Sequence, residues 1–365
     1  MIRENQIFVG PALSCVNKAD APFGRTIPES LRYYIHDLRL TLSSPDYLLE
    51  LQPEKPWGEY DHMNNMFIPQ KNSWTEIAAN QDISYEIFEQ PRILGVHAPN
   101  HKIDVLDISP LKKLHSIASI IEVMRWANSI NADYFVFHLC QLDRWIDDTY
   151  REFVFIPESI KVFSEFARVY REENFTFVPC IEILEFPKYP STPTETKRIL
   201  EQCQSILIET KLVFDMSHLW RSQALICETR KEGFEDVRFK RFRQVMEDTL
   251  NLLNPDDVYL WHLGGCWQTE THLVPGIYPD EDPFRAHYRL DGPPEIYNEG
   301  FEMNISGALD LVVDFCLKSG NPLRLVLEIF EKDFTIILKA IKEIKMALSR
   351  KVKRMKKGSD VRGEK

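Results

Sequence analysis

The apolar run Leu212-Val-Phe214 gives out abruptly into Asp215 and, three residues on, His218. Both side chains can bind a metal ion. The same arrangement recurs along the chain: Arg92-Ile-Leu-Gly-Val-His97, Asp133-Tyr-Phe-Val-Phe-His138 and Phe175-Thr-Phe-Val-Pro-Cys-Ile-Glu182 precede it, and Asp257-Val-Tyr-Leu-Trp-His262 and Leu323-Arg-Leu-Val-Leu-Glu328 follow it. Imidazole and carboxylate are the donors that zinc, manganese and iron accept. A bound divalent ion can activate water, polarise a carbonyl or stabilise a leaving oxygen. Taken singly, each residue has a plainer explanation. A histidine after an apolar strand is commonly a hydrogen-bonded rim residue, and a carboxylate there is commonly a helix N-cap or an ion-pair partner. The repetition outweighs those explanations. Several polar groups gathered away from water need a shared counter-charge, and a metal ion supplies one.

The elements that must position these residues can be read from periodicity. Residues 7–15 supply a first strand, 30–42 a helix, 47–51 a second strand closed by Pro53, and 54–74 a loop without periodicity. A helix over 74–90 follows. From Arg92 onward, apolar strands alternate with amphipathic helices, at 109–130, 157–173, 194–203, 234–253, 306–319 and 334–353. Gly320 is placed to end the helix over 306–319. Strands that are apolar on both faces and alternate with helices form a parallel sheet with right-handed crossovers. Eight such units match a closed α/β barrel, a single (β/α)8 TIM barrel, better than an open sheet, because no Gly-rich phosphate turn follows the first strand. In a barrel the C-terminal strand ends converge on one rim. The expected organisation is a catalytic barrel over residues 1–349 and a flexible basic tail over 350–365.

Bulk properties narrow the class. With 365 residues, of which 44% are hydrophobic, the chain can build a sizeable core. No apolar run approaches the roughly 18 residues of a spanning helix. The N-terminus lacks a signal-peptide pattern, so the expectation is a soluble, cytoplasmic protein with no membrane partner. The seven cysteines are scattered and form no CxxC pair, which argues against a disulfide framework or a thiolate zinc site. A net charge of -11 makes duplex DNA an unlikely partner. Against that trend, Arg350-Lys-Val-Lys-Arg-Met-Lys-Lys357 is strongly basic, and a solvated helix end explains it more simply than a nucleic-acid arm.

From about residue 92 to 331 the chain resembles the xylose isomerase-like barrels, which include endonuclease IV and the sugar isomerases and epimerases. The resemblance is carried by Gly95-Val-His-Ala-Pro99, Phe137-His-Leu-Cys140, Cys180-Ile-Glu-Ile183, Val213-Phe-Asp-Met-Ser-His218, Trp261-His-Leu263 and Leu327-Glu-Ile329. It implies that Glu182, Asp215, His262 and Glu328 form the metal-binding quartet of the superfamily. It also implies that His97 and His138 are further ligands of the endonuclease IV type, with Glu182 bridging two metals. His218 then binds a third metal or, as in the epimerases, contacts substrate. His287 is the best match for a loop ligand, although the tight Asp-x-His spacing of the endonucleases is absent. Trp267, in the long loop 265–303, is a candidate substrate contact or part of a self-packed lid. The usual His-Pro-Gly after the fourth strand is His138-Leu-Cys140 here.

Two enzyme readings follow from the resemblance, with one to three zinc, manganese or iron ions as cofactor. The leading expectation is a multinuclear phosphoester hydrolase, because His97 and His138 have no evident use in a mononuclear sugar isomerase. The alternative is a mononuclear sugar or sugar-phosphate isomerase or epimerase, with Glu182 and Glu328 as acid–base pair. Leu184 stands where the aldose isomerases carry a lysine, which disfavours that subtype. A barrel that binds a small ligand without catalysis is the third reading.

Overall fold

The computed structural model describes residues 6–14, 27–42, 47–53, 58–61, 63, 66–69, 85–89, 91–99, 103–139, 151–186, 188–229, 244–267, 270–273, 305–329 and 334–360. Its strands are β1 (Ile7–Ser14), β2 (Leu48–Gln52), β3 (Gly58–Asp61), β4 (Met66–Pro69), β5 (Ile93–His97), β6 (Tyr134–Phe137), β7 (Val178–Glu182), β8 (Lys211–Asp215), β9 (Val258–Leu263), β10 (Gly265–Trp267), β11 (Glu270–Leu273) and β12 (Leu323–Leu327). Its helices are α1 (Ile27–Leu42), α2 (Pro110–Ser129), α3 (Ile156–Glu172), α4 (Pro193–Ile206), α5 (Met216–Thr229), α6 (Ile305–Ser319) and α7 (Phe334–Asp360), and residues 244–252 are also helical.

Eight strands close into a barrel in the order β1-β12-β9-β8-β7-β6-β5-β2. The expected fold class is therefore observed. Tyr134, Phe135, Val136 and Phe137 of β6 are all buried, as are all five residues of β2 and of β5. That is the signature of a parallel strand covered on both faces, and it explains why these segments read as unbroken apolar runs. Gly320, at φ 76°, donates its N–H to the Cys316 carbonyl (2.9 Å) and ends α6 where the sequence placed its stop.

The chain comprises two compact units, Met1–Pro11 with Thr192–Lys197 and Phe214–Lys365, and Ala12–Ser191 with Arg198–Val213. In the second unit, β5, β6 and β7 are tied together where they begin. The Asp133 carboxylate accepts from the Leu94 N–H (2.8 Å), the Asp133 N–H donates to the Leu94 carbonyl (2.7 Å), and the Val178 N–H donates to the Asp133 carbonyl (2.9 Å). Gly95 pairs with Glu50 of β2 on one side and Tyr134 of β6 on the other. A Cβ at Gly95 would run into the Tyr134 ring and hydroxyl, so the absent side chain is what lets that tyrosine lie across β5.

Three expectations change. The stretch 54–74, read as loop, contains the antiparallel hairpin β3–β4, with Tyr60 opposite Phe67 and Glu59 opposite Ile68. Four-residue strands are too short to show a period, and their cross-strand pairing defines them. The loop from 265 opens with a second hairpin, β10–β11, while 274–303 and most of the helix expected over 74–90 lie outside the described residues. The basic stretch from Arg350, expected as a flexible tail, is helical as far as Asp360. Leu348 and Val352 extend the buried stripe of α7, and Lys351 and Arg354 both donate to Asp310 of α6, at 2.8 and 2.9 Å. None of the described helices is long and apolar enough to cross a membrane.

Gly95→Ala should destabilise the protein by about 1–3 kcal/mol, the usual cost of overpacking. Tyr134→Leu in the same chain should remove most of that penalty, giving a non-additive double-mutant cycle in urea unfolding.

Candidate metal centre

In the unit formed by Ala12–Ser191 and Arg198–Val213, three strand ends deliver His97, His138 and Glu182. His97 closes β5, His138 follows β6 directly, and Glu182 closes β7. Each offers a ligand atom within 4.8 Å of the others. The rings of His97 and His138 meet edge to face at 4.5 Å. Both Nε2 atoms converge on one carboxylate oxygen, Glu182 Oε2, at 3.1 Å from His97 and 2.6 Å from His138.

The tautomers follow from the partners. His97 Nδ1 lies 2.6 Å from the Ala98 carbonyl, which can only accept, so Nδ1 carries a proton. In the neutral ring Nε2 is then a bare lone pair facing a carboxylate oxygen. A second proton or a cation between the two atoms relieves that opposition. An imidazole whose other nitrogen is anchored on a backbone carbonyl is the common form of a histidine metal ligand, so His97 fits that role. His138 differs. Burial pushes its pKa below the usual histidine value, with Glu182 opposing and His97 and Lys188 reinforcing that shift. Among the described residues its Nδ1 has no hydrogen-bond partner. A neutral His138 donating its Nε2–H to Glu182 accounts for both observations and for the short contact.

In the other unit, Asp215, His262 and Glu328 form a second group, again with ligand atoms within 4.8 Å of one another. All three are buried. Asp215 ends β8 and is immediately followed by α5, for which it serves as N-cap: its Oδ1 accepts the N–H of His218 at 2.6 Å. That hydrogen bond turns the other oxygen toward His262 Nδ1 (3.9 Å) and His218 Nδ1 (3.6 Å). His262 Nδ1 also lies 3.4 Å from Glu328 Oε2. Ser217 fixes the junction, donating to the Gly264 carbonyl (2.7 Å) and accepting from the Gly264 N–H (2.9 Å). His218 is thus a first-turn helix residue beside Asp215, outside this group of three.

The donor chemistry of both groups, imidazole nitrogen with carboxylate oxygen, suits zinc, manganese or iron. Of the remaining candidates, Trp267 lies on β10 and His287 lies outside the described residues. Sequence reasoning missed the polar residues beneath the β5 end. Glu50 is fully enclosed and accepts from Gln52 Nε2 (3.2 Å) and the Tyr134 hydroxyl (3.0 Å). The signal was a carboxylate inside the apolar run Leu48-Leu-Glu-Leu51, unlike the others in not standing at the strand's end.

No family model matches the sequence, and no curated protein matches it. Solved structures do match. A putative xylose isomerase from Rhodospirillum rubrum is similar at a TM-score of 0.60 and 12% identity, over 94% of this chain and 99% of that one. The fold is the xylose isomerase-like TIM barrel. Two further structures share it at low identity. D-psicose 3-epimerase from Clostridium cellulolyticum, solved with D-tagatose, has a TM-score of 0.54 at 12% identity, covering 95% of this chain and 99% of its own. The IOLI protein, solved with a zinc atom, has a TM-score of 0.53 at 11% identity, with the same coverage of each chain. In this xylose isomerase-like barrel, as in the sequence reading, the candidate ligands occupy strand ends.

Asp215 has two separable tasks, capping and ligation. Asp215→Asn should keep the cap, leaving stability within about 0.5 kcal/mol, whereas Asp215→Ala should lose about 1 kcal/mol. Both variants should lose bound metal when assayed by elemental analysis after dialysis.

Proposed function

We propose that the protein is a divalent-metal-dependent sugar isomerase or epimerase, more specifically of the epimerase kind. The observation that carries this reading is a pair of buried glutamates, Glu182 and Glu328, each beside imidazole nitrogens, on a barrel fold shared with sugar epimerases. Asp215, His262 and Glu328, whose ligand atoms lie within 4.8 Å of one another, would hold the ion. When bound, the ion would polarise a substrate carbonyl and its neighbouring hydroxyl.

The protein's own residues would do the remaining work. One glutamate removes the proton from the carbon next to the carbonyl, and the other, as a carboxylic acid, returns one to the opposite face. The substrate carbon is inverted and no electrons are gained or lost. His138, donating to Glu182 Oε2, and His97, across a shared proton or cation, would hold that carboxylate in one orientation, and the His138 donor would stabilise its ionised form. This gives His97 and His138 a use in a mononuclear enzyme. His218, presented by the first turn of α5, would hydrogen-bond a substrate hydroxyl, and Trp267 would pack on the sugar. Leu184, in place of the lysine of aldose isomerases, favours an epimerase.

One observation favours a second reading. Two histidine nitrogens aimed at one carboxylate oxygen are also what a bridging glutamate between two metals needs, as in a multinuclear phosphoester hydrolase.

Elemental analysis of protein purified without added metal separates the two. One ion per chain is expected for the epimerase and two or three for the hydrolase; failure to bind any divalent ion on reconstitution would overturn both. With ketoses in deuterium oxide, the epimerase should place deuterium on the inverted carbon, seen by NMR, and leave bis(p-nitrophenyl) phosphate intact. Glu182→Gln and Glu328→Gln should each lower kcat by about 10²–10⁴-fold. The double variant His97→Ala/His138→Ala should retain one ion and measurable turnover in the epimerase, and lose activity altogether in the hydrolase.

A further inference from the structure

α7 is charged unlike the rest of the chain. The protein has a net charge of -11, yet Phe334–Asp360 holds nine lysines and arginines against two acidic residues. The helix buries Ile337, Ile341, Ile344, Leu348 and Val352. On the opposite face Lys339, Lys342, Met346, Arg350 and Lys353 are exposed, each three or four positions from the next. That spacing sets them in a single row. The row runs for about 21 Å along the helix axis.

A solvated helix end explains only part of this row. Cations in the last turns complement the negative end of the helix dipole, and Lys351 and Arg354 share the Asp310 carboxylate. Lys339 and Lys342 stand in the first half of α7, where the dipole does not favour them. Exposed cations are treated differently on α3, where Lys161 is paired with Glu158 and Arg168 with Glu165 and Glu172. On α7 no acidic residue lies three or four positions from Lys342, Arg350 or Lys353. Like charges at that spacing repel, and an anion laid along the row relieves the repulsion.

The shape of the charge indicates the partner. The row is one side chain wide, and the adjoining α6 exposes Asp314, one turn beyond Asp310 and paired with Lys318. A flat anionic membrane would meet that acidic flank and no apolar face to take up, whereas a line of phosphates meets the cations alone. A duplex would bring a second charged strand against an acidic protein. A protein partner needs apolar anchors, and Met346 is the one apolar side chain in the row. We propose that the exposed row of α7 binds the phosphate backbone of single-stranded RNA, the nucleic acid that cells hold largely unpaired. The sole aromatic residue of α7, Phe334, is buried, so the row offers no stacking platform and responds to charge, not to base sequence. This proposal is independent of the sugar-epimerase reading.

The test is fluorescence anisotropy of a labelled oligouridine, long enough to span the row, titrated with the full-length protein over a salt series. With about four phosphate contacts, affinity should fall with salt at a log–log slope of about -3. Oligoadenosine should bind equally well, and duplex DNA more weakly. The variant Lys342→Gln/Arg350→Gln/Lys353→Gln should bind about tenfold more weakly or worse, with a slope shallower by about 2 and an undiminished thermal midpoint. Lys112→Gln/Lys161→Gln/Arg168→Gln, which removes the same charge from α2 and α3, should bind as wild type does. If wild type does not bind oligouridine at low salt, the proposal fails. Equal weakening by the two triple variants would assign binding to overall charge instead of the row, and would overturn it. Tighter binding to phosphatidylserine vesicles or to poly-L-glutamate than to RNA would make the face a membrane or acidic-protein contact, and would overturn it as well.

Discussion

Much of the site's geometry follows from one constraint: Glu182 Oε2 is shared by two histidine nitrogens in a place that water does not reach. A buried carboxylate needs compensation, and a single oxygen that must satisfy two neighbours restricts where each of them can stand. His97 and His138 can converge on it only if β5, β6 and β7 end at matching heights. The Asp133 clamp on Leu94 and Val178 enforces that register at the opposite end of the same strands. The requirement at Gly95 belongs to the same accommodation, because the tyrosine that follows Asp133 occupies the space a β5 side chain would fill. The geometry of the candidate site at one end of the strands is therefore linked to hydrogen bonds at the other.

The barrel was legible in the sequence because its signals are redundant. Each buried parallel strand announces itself as a short run such as Tyr134-Phe-Val-Phe137, and the alternation with amphipathic helices repeats often enough to survive an error in any one unit. The candidate ligand positions were legible for a related reason: His97, Glu182, Asp215 and His262 stand at or next to strand ends, where an apolar pattern breaks. Glu50 broke the pattern in mid-strand and was passed over. Its meaning depends on a glycine and a tyrosine that are distant in sequence and adjacent only in the sheet. The hairpins β3–β4 and β10–β11 were missed because four or fewer residues per strand cannot show a period. In the basic stretch, Lys351 and Arg354 find their partner in Asp310, some forty residues away.

The distinction between a ligand and a ligand's support was not available from residue types. Both histidines look alike in sequence. In the structure His97 has its second nitrogen anchored on a backbone carbonyl, whereas burial pushes the His138 pKa down and its Nε2 lies 2.6 Å from Glu182 Oε2. The pair can therefore support a carboxylate as well as offer ligand atoms to an ion.

Asp215 is at once the last residue of β8 and the cap of α5, so no connecting residues separate strand from helix. Most strand-to-helix joins in a barrel are free to lengthen, and evolution and protein engineering use them to change what an enzyme accepts. This join has no such latitude. An inserted residue would part the carboxylate from the helix start it caps and unseat Ser217 from Gly264. New selectivity in this scaffold must therefore be sought elsewhere, in the segments after β6, β7 and β9, while the β8–α5 turn is kept fixed.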